Sequence, residues 1–271
     1  MVCQRIGIIV KVTYKNKGGA EMYKVARIIF KPRNAFTEVV SDSVVSILTM
    51  LYKNGQISEG WSVEKHDQIY VANVVTTDDD SLNPEHYNQY IIKETENFDV
   101  ETQIICDEAT ASDSCHCLKH SSYILAVEPY IASSPVICGD CGKEIPLFKV
   151  PCLYGEKEHY SILNFQKTYQ AVLDLWFDSL SDRFTKRQIT AFDSRLNKRG
   201  LDIRSELELK VDKPVYYLLL NPIGGWFDFE KNNKSLKVCP KCGKELAKFD
   251  GCYADKACVD CRFAFINGEK K

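Results

Sequence analysis

The chain has 271 residues, 45% of them hydrophobic and 27% charged, with a formal net charge of −2. These values describe an ordinary globular chain, long enough for one large core or two smaller ones, and exclude a global positive field that would gather nucleic acid. The longest apolar run, VYYLLL at 215–220, is far short of the roughly 20 residues that span a bilayer. The amino terminus MVCQRIGIIVKV has no signal-peptide core, so a cytoplasmic protein without a membrane partner is expected.

Two strand patterns open the chain, RIGIIVKVTY (5–14) and YKVARIIF (23–30), joined by the turn-rich NKGG. From Thr37 the period changes: Val40, Val44, Ile47, Leu48 and Leu51 follow helical spacing, and Asn54-Gly55 supplies the stop. QIYVANVVTT (68–77) reads as a strand. DDDSLNP reads as a loop in which Asp78, Asp79 and Asp80 suit solvation better than a divalent cation. Pro84 opens a helix expected to run through Tyr87, Ile91 and Phe98, and VETQIIC (100–106) follows as a strand. Residues 1–110 therefore read as an α+β domain, an α/β sandwich of ferredoxin-like type.

The small polar linker EATASDS (108–114) leads into a second region, 111–237, which carries the first cysteine pairs and a strand in SYILAVEPYI. Three helices follow: a largely buried one over 159–180, a second from the Ser181-Asp182 cap to Gly200, and a third from Asp202 to just before Pro214. VYYLLLN reads as a buried strand, and residues 238–271 form a closing ribbon. The fold class is α+β, with a helical carboxy-terminal region bearing two knuckle sites of zinc-ribbon type.

Twelve cysteines in a chain without a signal peptide argue for metal ligation over a disulfide scaffold. Eight of them form four close pairs, Cys115/Cys117, Cys138/Cys141, Cys239/Cys242 and Cys258/Cys261, while Cys3, Cys106, Cys152 and Cys252 stand alone. Cys239-x-x-Cys242, fifteen intervening residues and Cys258-x-x-Cys261 is the spacing of a four-cysteine zinc ribbon. A Cys-x-x-Cys turn aims two thiolates at one centre, and the glycine after it tolerates the backbone angle required. A redox pair would want a strand–helix context, whereas here a turn and a second pair follow.

Upstream, Cys138-Gly-Asp-Cys141-Gly is a second knuckle, partnered by the tighter Cys115-His-Cys117. His116 and His120 lie close enough in sequence to replace a thiol, so four-cysteine and mixed Cys/His sets both remain open at this point. Two Zn2+ per chain are expected. Each site offers four protein ligands and no open position, which marks structural rather than catalytic metal. Such zinc contributes on the order of 10–16 kcal/mol, enough to replace the core that a ribbon of roughly 30 residues lacks.

RFTKRQITAFDSRLNKRG (183–200) carries Arg183, Lys186, Arg187, Arg195, Lys198 and Arg199 against one acid, Asp193. One reading is a solvated outer face, with Lys198 and Arg199 suited to the negative end of a helix stopping at Gly200. The other is a phosphate-tracking surface, extended by Lys237, Lys241, Lys244 and Lys248 of the ribbon. Phe249, Tyr253, Phe263 and Phe265 then serve either as stacking platforms or as the ribbon's small core. No nucleophile elbow, phosphate loop, dinucleotide fingerprint or H-E-x-x-H motif occurs, so neither catalytic residues nor a small-molecule substrate is expected.

The stretches SPVICGDCGKEIPLFKVP (134–151), SRLNKRGLDIRSELE (194–208) and KPVYYLL (213–219), followed by the CPKCG…CVDC ribbon, resemble a bacterial family of unknown function. That family is described as zinc-ribbon-containing, with nucleic-acid binding as its candidate role. The resemblance covers roughly residues 112–266. It implies thiols rather than His116 or His120 at the first site. The chain departs from it in Leu246, where an aromatic is expected, and in the additional Cys252. Two partner classes follow. One is nucleic acid or a nucleic-acid-associated complex, favoured by the basic segment. The other is a protein, such as a toxin neutralised by an immunity or antitoxin-like protein, favoured by the slightly acidic net charge.

Overall fold

The computed structural model describes residues 23–33, 39–108, 114–127, 134–178, 180–220 and 236–266. The strand expected at 5–14 lies outside them. The chain is mixed α+β and builds two units, each on its own sheet and core.

In the first unit, β1 (Lys24–Pro32), α1 (Val39–Lys53), β2 (Ser62–His66), β3 (Ile69–Thr76), α2 (Gln89–Thr95) and β4 (Phe98–Asp107) follow in order. The sheet order is β2-β3-β1-β4 and all pairs are antiparallel, the connectivity of a ferredoxin-like sandwich. Alternate residues Ala26, Ile28 and Phe30 of β1 and Tyr70, Ala72 and Val74 of β3 are buried in one core with Val44, Ile47, Leu48 and Leu51 of α1. Strand β2 has no apolar alternation to read: all five residues of SVEKH are exposed, at a sheet edge that their charges protect. The helix expected from Pro84 to Phe98 is shorter. A single 3-10 turn at Pro84–His86 precedes α2, whose start is capped by the Asn88 side chain, and Phe98 already belongs to β4, packing edge-on against Phe30.

The second unit has a sheet of order β6-β5-β7-β10-β9-β8: β5 (Tyr123–Leu125), β6 (Val136–Cys138), β7 (Val215–Leu218), β8 (Ala247–Lys248), β9 (Lys256–Cys258) and β10 (Phe263–Phe265). The central strand β7 runs parallel to β5 on one side and to β10 on the other, so the closing ribbon continues the sheet of the first cysteine site. Helices α3 (Tyr160–Phe177), α4 (Asp182–Thr190) and α5 (Arg195–Val211) complete the unit, with α5 packed on β7. Phe165, Tyr217, Phe263 and Phe265 form a buried aromatic row with centroids 6.2–6.4 Å apart. No helix among the described residues is long and apolar enough to cross a membrane.

The expected helices over 181–200 and 202–213 are divided differently: the break falls at residues 191–194, and Gly200 lies inside α5. Buried Asn197 makes the break. Its Nδ2 donates to the carbonyls of Ile189 (3.2 Å) and Ala191 (2.8 Å), while its Oδ1 accepts from the Tyr217 hydroxyl at 2.7 Å. Ser194 caps the new helix by accepting from the Asn197 amide at 3.1 Å. Gly200 is needed for close approach: a Cβ there would lie 2.5 Å from the Tyr217 ring.

The units are pinned together at several points. The buried His159 amide donates to the Lys53 carbonyl at 2.8 Å, Tyr23 donates to the buried Glu144 carboxylate at 2.6 Å, and Lys149 pairs with buried Asp78 at 2.7 Å. The three aspartates of the loop are thus engaged, since Asp79 pairs with Lys24 (3.7 Å) and Asp80 with His86 (2.7 Å). Burial pushes the His159 imidazole down to about 4. Its Nε2 lies 3.8 Å from the Cys152 sulfur, a thiol raised mainly by burial and then by Glu156 and Glu158, so the pair is neutral at pH 7 and not an activated nucleophile.

Two outcomes are expected. Gly200→Ala gains about 1 kcal/mol of helix propensity but forces a Cβ into a ring clamped by Asn197. A net loss of roughly 1–2 kcal/mol in urea unfolding is expected, against the 1–3 kcal/mol typical of overpacking. Unfolding stability should also fall on acidification between pH 6.5 and 4, because the unfolded chain protonates His159 and the native chain does not. The loss approaches roughly 3 kcal/mol, and His159→Gln should remove that part of the slope in urea midpoints measured across this range.

Candidate metal centres

Both tetrads converge. Cys115, Cys117, Cys138 and Cys141 place their sulfurs within 4.8 Å of one another, and so do Cys239, Cys242, Cys258 and Cys261. The Cys141–Cys115 and Cys242–Cys258 sulfur separations are 3.4 and 3.6 Å. Those are far longer than the roughly 2.05 Å of a disulfide. They are close to the edge of about 3.8 Å of a tetrahedron with metal–sulfur bonds of about 2.3 Å. The donor set therefore fits a tetrahedral, thiophilic metal, and the two tetrads are positioned to hold one ion each.

The two glycine-bearing knuckles are built alike. In the first, the Gly142 amide donates to the Cys138 carbonyl at 2.9 Å and the Cys138 amide to the Lys143 carbonyl at 2.9 Å. In the second, Gly243 and Cys239 repeat this with the Cys239 and Lys244 carbonyls at 2.9 and 2.8 Å. Gly142 and Gly243 both have positive φ, +72° and +70°, which a side chain resists. The shared GKE sequence after each second cysteine is the visible origin of this repeat. At the closing knuckle the equivalent left-handed position is Arg262, with φ +56°. Its guanidinium lies over the Tyr216 ring at 5.5 Å and pairs with Glu208 of α5 at 3.4 Å, tying the knuckle to the helix layer.

At the first half-site the cluster is made of thiols, with both histidines beside it. His120 stands behind the tetrad, its Nε2 3.5 Å from the Cys115 sulfur and its Nδ1 3.3 Å from the Tyr123 hydroxyl, while His116 contacts Ser114 at 3.4 Å. Four thiols converge and the imidazoles remain outside. Crowding couples those thiols. Hydrogen bonds from Cys115 and Cys141 hold the Cys138 thiol far below its ordinary value, while the bond to Cys138 pushes Cys115 far up. At the second site the Lys244 amide lowers Cys242 to about 7, and burial pushes Cys261 up to about 12. A bound cation relieves this competition for one negative charge.

The centres also touch through the ribbon. The backbone of Gly251 approaches the Gly139 carbonyl too closely for any side chain, and Cys252 and Tyr253 lie against Gly142. The additional Cys252 thus sits beside the first knuckle and belongs to neither tetrad.

The predicted basic residues are split between two helices. Arg183, Lys186 and Arg187 are exposed on α4, and Arg195 and Lys198 are exposed on α5 with Arg199 half-buried. None forms a salt bridge with a described residue. The break puts Arg195, Lys198 and Arg199 at the positive, not the negative, end of a helix, in the first turns of α5. Among the ribbon residues, Lys244 is paired with Asp260 at 2.6 Å, and Lys237 and Lys248 share a shallow cleft with Glu245 and Asp255. Phe263 and Phe265 are wholly buried, and Phe249 packs edge-on against Tyr216. Among the described residues of this unit Tyr154, Tyr160 and Phe184 are exposed aromatics, and Phe184, visible in the sequence as RFTKR, is the one on the basic helix α4.

With this geometry in place, comparison with known proteins adds one family. Residues 117–220 match the model of the Domain of unknown function (DUF2310). The matched segment begins at Cys117, includes Cys138, Cys141, α4, α5 and β7, and stops before the ribbon, so it covers part of the stretch 112–266 that resembles a bacterial family of unknown function. Two uncharacterized proteins of Haemophilus influenzae are similar. One is 24% identical over 195 residues, covering 69% of this chain and 72% of its own. The other is 23% identical over 154 residues, covering 56% and 72%. No solved structure matches the chain.

Replacing Cys239 by Ser should release the metal of the second centre and, through the Gly251–Gly139 contact, speed metal exchange at the first. Gly251→Val leaves the second tetrad complete and should loosen the first centre alone. Elemental analysis together with metal-release kinetics to a chromogenic chelator distinguishes the two variants.

Proposed function

We propose that the chain is a non-enzymatic protein in which two structural zinc centres hold a face that binds nucleic acid or a nucleic-acid-associated complex. Zinc is the metal that best suits a closed set of four thiolates in tetrahedral contact, and it leaves no coordination position for a substrate. Cys115, Cys117, Cys138 and Cys141 would hold one ion and Cys239, Cys242, Cys258 and Cys261 the other. Their chemistry is to fix chain segments in place.

The observation that carries the binding half is electrostatic. Arg195, Lys198 and Arg199 stand near the positive end of the 17-residue helix α5, with no acidic residue in its first turn. A cation in the first turn, as Arg195 and Lys198 are, is opposed by the dipole by roughly 0.3–1 kcal/mol, and no described carboxylate forms a salt bridge with either. A phosphate backbone would reverse that sign, and Arg183, Lys186 and Arg187 extend the same charge along α4. A protein partner is the second reading. Leu118 is fully exposed beside Cys117, and Val238 and Val259 are exposed on the second knuckle pair, so the knuckle tips present apolar contacts of the kind an immunity or antitoxin-like module offers a cognate toxin.

Binding to mixed DNA and RNA oligonucleotides should be measurable at about 50 mM salt and weaken by about 10³-fold or more at about 200 mM if six phosphates are contacted. Joint substitution K186E/R187E/K198E/R199E should abolish it without altering metal content. Absence of binding at low salt overturns the nucleic-acid reading and leaves the knuckle tips as the surface to probe with a protein partner.

A further inference from the structure

Resting on that nucleic-acid reading, we propose that the basic face takes single-stranded rather than duplex nucleic acid, with Phe184 as the platform on which a base stacks. On α4, Thr185 and Ile189 face the core, and Arg183, Phe184, Lys186 and Arg187 occupy the exposed arc. At about 100° per residue Phe184 stands about 60° from Arg187 around the axis, one turn away. Its ring is 55% exposed. Leu175 and Leu180 are exposed beside this helix start, held near each other by the Leu180 amide donating to the Leu175 carbonyl at 2.9 Å. Of the three cations on the helix, Arg187 shares the face of Phe184, while Arg183 stands about 100° and Lys186 about 160° away around the axis. None has a salt bridge to a described residue, and Asp178 and Asp182 are also exposed at this helix start.

Charge complementarity selects a polyanion, and the ring selects among polyanions. A duplex presents phosphates but keeps the faces of its bases inside the stack, so it can use the cations and not Phe184. A single strand offers both phosphates and free base faces, the combination that sequence-tolerant single-strand binders exploit. An anionic membrane would also meet cations and apolar groups, but α4 has nine residues and one aromatic, too little apolar area for a surface-lying helix. Of the ribbon aromatics, Phe263 and Phe265 lie in the core, and Phe249 and Tyr253 are partly buried against it.

The test uses the full metal-loaded chain and fluorescence anisotropy with a labelled mixed-sequence oligonucleotide, single-stranded or annealed to its complement. The single strand should bind more tightly than the duplex. Phe184→Ala should weaken single-strand binding by roughly 5- to 150-fold, the range of one lost base stack, and leave duplex binding unchanged, while Phe184→Trp retains it. Circular dichroism of both variants checks that the fold is kept, as expected for an exposed position. Equal affinity for both forms, or a Phe184→Ala effect shared by both, overturns the single-strand assignment. If K186E/R187E abolishes binding to both forms and Phe184→Ala changes neither, the nucleic-acid reading stands and the stacking role falls. If neither form binds at low salt, both fall; binding to phosphatidylserine vesicles instead would assign the patch to a membrane surface.

Discussion

Strand β7 is hydrogen-bonded along both edges to strands that belong to the two cysteine-tetrad modules, and the remaining architecture of the second unit depends on this double pairing. On one side it holds β5, which pairs with β6 and ends at Cys138; on the other it holds β10, which pairs with β9 and ends at Cys258. These outer strands are only two or three residues long. Strands of that length make too few hydrogen bonds to persist in water on their own. Two thiolate tetrads close the loops at either flank, and the buried row through Tyr217 supplies the apolar contact that the ribbons lack. An ion held by each tetrad would fix the ends of these short strands, and β7 fixes their middles. The contact of Gly251 with the Gly139 carbonyl gives the two modules a second meeting point, away from β7.

Tyr217 also connects the sheet to the helix layer. Its hydroxyl satisfies Asn197, whose amide group takes two carbonyls at the end of α4, and its ring leaves space only for glycine at position 200. A core hydrogen bond thus decides where one helix ends and the next begins. That boundary in turn decides the electrostatic meaning of three basic residues. Had the helix run unbroken to Gly200, Lys198 and Arg199 would have been stabilised by the helix dipole and would need no partner. With the start at Arg195 they are opposed by it.

The legibility of this chain in its sequence follows the range of the forces involved. Thiol spacing is local chemistry, and all eight cysteines of the two tetrads are recognisable from Cys-x-x-Cys and Cys-x-Cys alone. The α1 period and the alternation of β1 and β3 are set by burial of one face and are equally plain. Strand β2 was invisible because SVEKH has no buried face, and its identity comes from hydrogen bonds to β3. The break at 191–194 was missed because it rests on Asn197 and Tyr217, which are twenty residues apart and meet only in the fold. Gly200 misled for the same reason: an isolated helix treats glycine as a stop, whereas a packed one can require it. Phe184 was passed over because a ring next to basic residues is indistinguishable from a core ring until burial is known.

Net charge, finally, gives little guidance about this protein's partners. The sum of −2 hides a segregated distribution. Cations of the first unit are matched locally, as in Lys31–Glu101, Arg33–Asp99 and Lys24–Asp107, and Lys244 of the ribbon is matched by Asp260. The arcs of α4 and α5 carry six cations without a salt bridge to any described residue. At physiological ionic strength charges more than about 8 Å apart are largely screened from each other. Acids already paired within the first sheet therefore do little to cancel the field above Arg187 or Lys198. A partner approaching that face meets six cations interspersed with the exposed Asp182, Asp193 and Asp202, so the local balance of charge, not the total of −2, decides the field there.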